Sequence, residues 1–201
     1  VNDGGQTSST VSGEILKSAL LAISIALLCM LIYIIIRFEL LSGIAAVIAL
    51  FHDVLIMFCC MGIFHIEINS TFIAALITIL GYSINNTIII FDRIRENIKF
   101  YANKRIDGKL VKPAYIANKS VQETVWRTIN TTLTTLIMIA MVAIIGVRDI
   151  QIFALPIIFG LLAGTYSSVF LAPTIWAMLA KSFPGTIKAP KAKRTAAKAG
   201  K

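Results

Sequence analysis

Runs of about twenty apolar residues, nearly free of charge, recur along this chain and are separated by short polar or basic segments. An α-helix rises about 1.5 Å per residue, so a run of that length crosses a hydrocarbon layer of about 30 Å. Five segments qualify, near residues 16–36, 44–64, 72–91, 128–145 and 150–179. The last is long enough to tilt or to include an extramembrane turn, and Pro156 and Pro173 can bend it. Such a chain cannot hide its apolar surface in one water-soluble core. Only 14% of its 201 residues are charged, against roughly 25% in a soluble domain. The expected fold is an all-α polytopic membrane protein with about five transmembrane helices.

The net charge of +9 would suit a nucleic-acid binder, but the placement of the charge does not. Lys and Arg lie between and after the apolar runs, as they do where membrane proteins mark their cytoplasmic side. With the N-terminus outside, the inner segments 37–42, 93–127 and 181–201 hold seventeen of the nineteen basic residues, leaving Lys17 and Arg148 outside. An N-out, C-in topology follows, with no nucleic-acid partner. Residues 93–126 form a cytoplasmic loop in this reading. Asp107-Gly108 is expected to turn and Pro113 to start a fresh helix. That loop serves either as a solvated connection with interfacial helices or as a docking surface for a cytosolic partner. The tail 182–201 is basic and expected to be disordered. It is suited to anionic lipid at about 1 kcal/mol per basic residue near the surface.

Cys29, Cys59 and Cys60 all fall within apolar runs and form no CxxC pair, so neither a disulfide framework nor a metal site is indicated. No nucleophile–base pair or phosphate loop is evident. The expectation is a non-enzymatic protein without cofactor or metal.

The informative residues are the polar ones inside spans, because each needs a partner or water there. Asp53, beside His52, is a carboxylate near the middle of the second span. In the third, Ser83, Asn86 and Thr87 share one helical face, and Thr78, Tyr82 and Asn85 another. In the fourth, Arg127, Thr131, Thr134 and Thr135 fall at i, i+4, i+7 and i+8. The third and fourth spans are expected to pack stripe to stripe, either as interhelical glue or around a hydrated proton pathway. Gly160 and Gly164 form a small-xxx-small pattern that permits close helix approach.

The run Gly81-Tyr82-Ser83-Ile84-Asn85-Asn86-Thr87-Ile88-Ile89-Ile90-Phe91-Asp92-Arg93-Ile94-Arg95-Glu96-Asn97 resembles a signature of the SecD/SecF family of protein-export membrane proteins, in its SecF branch. Four companions stand in the same order. They are Arg37-Phe38-Glu39, His52-Asp53-Val54, the Thr-rich run from Arg127 through Leu136, and Gly164-Thr165-Tyr166-Ser167-Ser168. The family lies within the resistance-nodulation-division superfamily. The resemblance implies the C-terminal membrane half, one half of a pseudo-symmetric transporter-like bundle in the bacterial cytoplasmic membrane. Residues 1–14 would be the tail end of an extracytoplasmic domain or a linker, and 15–181 the membrane domain. The implied partners are a SecD-like subunit, the SecYEG channel and a preprotein in transit. The implied function is proton-motive-force-dependent completion of translocation after SecA's ATP-driven step.

One position departs from the family pattern Gly-Tyr-Ser-x-Asn-Asp-Thr, in which the resemblance assigns the Asp to proton movement. Asn86 stands there and cannot titrate, while Arg127 keeps the place of the arginine that pairs with that acid. Either an acid in the SecD-like partner carries the proton, or Asp53 or Asp92 substitutes, or protons are not coupled. The first is preferred on sequence grounds. A non-coupling structural subunit and a superfamily-type efflux component remain the alternative functions.

Overall fold

The structure is a computed structural model that describes residues 9–37, 40–65, 70–101, 105–106 and 109–182. Residues 1–8, the Phe38-Glu39 pair, the Asp107-Gly108 turn and the basic tail from residue 183 lie outside the described residues.

The helices are α1 (Ser9–Arg37), α2 (Leu40–Ile63), α3 (Ser70–Tyr101), α4 (Pro113–Ile145) and α5 (Arg148–Tyr166). A π turn (Ser167–Leu171) follows and leads into α6 (Ala172–Ser182). Two short strands, β1 (Arg105–Ile106) and β2 (Lys109–Leu110), pair antiparallel between α3 and α4. Among the described residues, four helical stretches are long and apolar enough to cross a membrane: Leu40–Ile63, Thr71–Tyr101, Pro113–Ile145 and Ile150–Ser182. The first apolar run lies within α1, a helix of 29 residues, so the chain is an all-α polytopic membrane protein.

The structure decides two points that the sequence reading left open. The last run contains no extramembrane turn. It is one continuous helical stretch to Ser182, interrupted only by the π turn, with Pro156 inside α5. Within the segment 93–126 helix lies on both sides of the two short strands, as the extension of the third span and the fresh start at Pro113 lead one to expect. α3 continues to Tyr101, and α4 starts with Pro113 at its first turn and runs unbroken to Ile145. The fixed φ of proline suits a helix start, and no breaker follows until Gly146.

Lipid supplies no hydrophobic drive between helices, so close packing must hold the bundle together. The sequence provides for this with small residues. Ala45, Ala46 and Ala49 of α2 and Ala75 of α3 are fully buried, and Leu50, Leu76, Ile79, Leu161 and Trp176 fill the space around them. α3 and α5 form the central pair, with α2, α4 and α6 around them. Gly160 of α5 sets the distance of closest approach. A Cβ there would lie 2.6 Å from both Ile79 Cγ1 and Ile79 Cγ2, and 2.9 Å from Met57 Sδ.

Candidate functional site

Where α2, α3 and the end of α5 meet, the chain buries a carboxylate. The inward face of α2 recurs every three or four residues through Ala46, Leu50, Asp53 and Met57, so the helical repeat that builds the core also carries Asp53 into it. Its side chain is 1% exposed. Ser83 Oγ of α3 donates to Asp53 Oδ2 at 2.5 Å, and Ser167 Oγ of the π turn donates to the same oxygen at 2.8 Å. Asp53 Oδ1 meets His52 Nδ1 at 3.2 Å. His52 is about one-third exposed, and its ring lies 6.0 Å from that of Tyr166. Neighbours on a helix point about 100° apart, but the imidazole folds back far enough to reach the carboxylate.

Gly164 permits this close convergence. A Cβ at that position would lie 3.0 Å from Ser83 Cβ and 3.1 Å from Ser83 Oγ, so a side chain would crowd the serine that bonds the carboxylate. Gly160, Gly164 and Ser167 fall at i, i+4 and i+7, on one stripe facing α3. The π turn carries the end of that stripe. Ala172 N–H bonds to Ser167 O, five residues back, whereas Ser167 N–H bonds to Ala163 O and Gly164 O. Such single π turns inside α-helices recur at functional sites.

On α3, Asn86 and Thr87 lie one turn beyond Ser83 on the same face, each 1% exposed. Among the described residues neither Asn86 Nδ2 nor Thr87 Oγ1 has a hydrogen-bond partner, an uncommon state for buried polar atoms. Asn85 and Asp92 face outward. A separate hydroxyl chain ties three helices: Tyr82 Oη donates to Thr132 Oγ1 at 3.1 Å, and Thr132 Oγ1 meets Thr165 Oγ1 at 2.9 Å.

The predicted contact between the third and fourth spans exists, but on a different face of α4. Thr124, Thr128 and Thr132 are buried, whereas Arg127, Thr131 and Thr134 are exposed and Thr135 is half-buried. The expected stripe lies one residue away from the one that packs, a rotation of about 100°. Its hydroxyls turn back on their own helix: Thr131 Oγ1 donates to Arg127 O at 2.5 Å, and Thr134 and Thr135 each donate to Thr131 O at 2.9 Å. Threonine is self-sufficient in a helix in this way, so its periodicity alone does not say which face is buried.

The extensions of α3 and α4 beyond the apolar region are locked by polar contacts. Asn97 Nδ2 donates to Ser120 Oγ at 2.9 Å and to Glu123 Oε2 at 2.8 Å, and Arg93 Nε donates to Glu123 Oε2 at 2.7 Å. Arg93 also pairs with Glu96. The Asn97 hydrogen bond, then that of Arg93, holds the Glu123 carboxyl below its ordinary range. Among the described residues no cluster of His, Cys, Asp or Glu could hold a metal ion.

His52, Thr132, Thr165 and Ser167 belong to these networks and were not singled out by spacing, whereas Tyr82 was placed by spacing on one face with Thr78 and Asn85. Ser167 had a signal, the continuation of the Gly160–Gly164 stripe. Tyr82, Thr132 and Thr165 stand within the runs that carry the family resemblance, but nothing in the sequence indicated that they meet across three helices.

This architecture has known counterparts. Residues 3–182 match the family described as "Protein export membrane protein SecD/SecF, C-terminal". "Protein translocase subunit SecF" of Sebaldella termitidis is 42% identical over 165 residues, covering 82% of this chain and 51% of that protein. "Protein translocase subunit SecDF" of Bacillus subtilis is 41% identical over 165 residues, covering 82% of this chain and 22% of its own length. The crystal structure of SecDF from Thermus, described as a translocon-associated membrane protein, superposes with a TM-score of 0.77 at 33% identity. That match covers 87% of this chain and 23% of the other. The chain therefore spans about half the length of the SecF relative and under a quarter of the SecDF proteins.

Proposed function

This chain belongs to the SecD/SecF C-terminal family, and on that premise we propose that it is the membrane half of a SecF-type accessory subunit of protein export. In this reading it sits in the bacterial inner membrane, N-out and C-in, as one half of a pseudo-symmetric bundle completed by a SecD-like subunit. It helps a preprotein finish crossing a SecYEG-type channel after the ATP-driven step, drawing on the proton-motive force. The observation that carries this reading is the 42% identity to a translocase SecF subunit across 82% of the chain. The family match over residues 3–182 includes the helices that enclose Asp53. Arg127, exposed on α4, fits the proposed complex as a point of contact with partner helices, because its charge is not met by its own helix as the threonine hydroxyls beside it are.

The test is complementation. Cells depleted of their native SecF accumulate uncleaved secretory precursors, and the full-length protein containing this chain restores processing. Normal processing in depleted cells, with retention of small molecules or lipid, would sink the export reading in favour of an efflux role. Asn86 motivates a second reading, a structural subunit that stabilises the complex without coupling protons. In that case processing is restored equally with the proton gradient intact or collapsed.

A further inference from the structure

Asn86 is buried on the third span with no partner for its Nδ2 among the described residues, and its amide cannot bind or release a proton in any physiological range. The buried carboxylate one helix away can. We propose that Asp53 is the proton-binding acid of this chain, loaded through His52 and read out by Ser167 of the π turn. The proposal rests on the export reading for its purpose, but its chemistry stands on three observations independent of that reading.

The first is access. Asp53 is buried, yet its Oδ1 lies 3.2 Å from Nδ1 of His52, a ring that is about one-third exposed. As the exposed side of the ring takes a proton from water at Nε2, Nδ1 gives up its own proton to Oδ1. The N–H bond breaks as the O–H bond forms, leaving a neutral imidazole and a carboxylic acid. Unloading is the reverse chemistry, with the acid's proton going to water and the carboxylate restored. His52 is the titratable group bonded to Asp53, with Tyr166 of α5 against its ring. α3 and the π turn present the uncharged hydroxyls of Ser83 and Ser167.

The second is the readout. Ser167 has one hydroxyl proton and two acceptors, Asp53 Oδ2 at 2.8 Å and Gly164 O of its own helix at 3.2 Å. A hydrogen bond to a carboxylate is roughly twice as strong as one to a neutral acceptor. The charged state therefore draws Ser167 to α2, and the neutral state frees it to bond within its own helix. Because Ser167 opens the π turn, that exchange acts where the helix departs from regular α geometry. The two states of the carboxyl thus bias two arrangements of the last helical stretch.

The third is hydration. Asn86 Nδ2 and Thr87 Oγ1 are buried without partners one turn from Ser83. A water needs two to four polar partners, and these atoms supply two on the face that holds Asp53.

The experiment uses the full-length subunit with its SecD-like partner in proteoliposomes, followed by infrared difference spectroscopy from about pH 8 to pH 5. The expected result is a carboxylic-acid C=O band that grows on acidification and is lost in Asp53→Asn. Asn keeps an acceptor for both serines. Should Asp53→Asn fail to assemble, Asp53→Glu carries the test, with the band displaced to the frequency of a glutamic acid. Ser167→Ala keeps the band and displaces its midpoint. No band in the wild type, or one unchanged in both Asp53 variants, overturns the proposal. Gradient-dependent translocation in the same vesicles reports separately on the export reading. A titrating Asp53 with no gradient effect breaks that reading and leaves the proton site standing.

Discussion

The two polar seams of this molecule look alike in sequence and differ in what they do. The Asp53 seam is buried, draws its members from three elements, and places one carboxylate oxygen at 2.5 Å and 2.8 Å from two serine hydroxyls. The Arg127–Thr135 seam runs along one helix, is mostly exposed in this chain, and satisfies its hydroxyls on its own backbone. A polar residue in a membrane helix therefore has two stable solutions. It can find a partner across an interface, where removing the partner leaves a buried group unsatisfied, or it can fold back on its own helix, where little depends on its neighbours.

Substitutions can break this contrast. The largest effect is expected at Gly160, beside the Asp53 seam. Gly160→Leu puts atoms where Ile79 already lies and separates α3 from α5. Overpacking costs about 1–3 kcal/mol and more against two side chains at once. Loss of the folded protein from membranes, or a large drop in its melting temperature, checks this; near-normal abundance would mean that the helices are not closest there. Next comes Asp53→Ala, which strips the acceptor from Ser83 and Ser167 and should destabilise by about 1.5–3 kcal/mol, as expected for hydrogen bonds to a charged group. Detergent-unfolding titrations should show Asp53→Asn costing visibly less, since the acceptor survives.

Smaller effects sharpen the comparison. Tyr82→Phe removes one interhelical hydroxyl contact and should cost about 0.6 kcal/mol, the average for such bonds in a membrane protein. Thr134→Val on the other seam should fall within about 0.5 kcal/mol of zero in the isolated chain, because its hydroxyl bonds only Thr131 O. A larger loss measured only in the full complex would show that the exposed face meets a partner. At the end of the bundle, the depressed Glu123 carboxyl contributes stability that is fully present above its ordinary value of 4.5 and is lost as pH falls through the lower folded value. Protease sensitivity of the α3–α4 connection should therefore rise below that pH in the wild type. Glu123→Gln, which removes the titration, should not show that rise.

Much was legible in the sequence because it depends on local composition and period. Apolar length determined that the chain is polytopic and helical, since an uncharged run of about twenty residues has few other folds available. The Pro113 helix start was readable from proline's fixed φ, and the shared face of Ser83, Asn86 and Thr87 from the 3.6-residue repeat. The family signature was present in the order of residues. Only the tertiary structure decided which face of α4 turns inward, because threonine is stable on either. It alone brought Ser167, 114 residues away in sequence, to Asp53 through a π turn whose i→i+5 bond leaves no mark in composition. Periodicity acts within one helix, whereas the rotation of one helix against another is set by where small residues allow the backbones to meet. Here that place is Gly160 and Gly164 against Ile79 and Ser83.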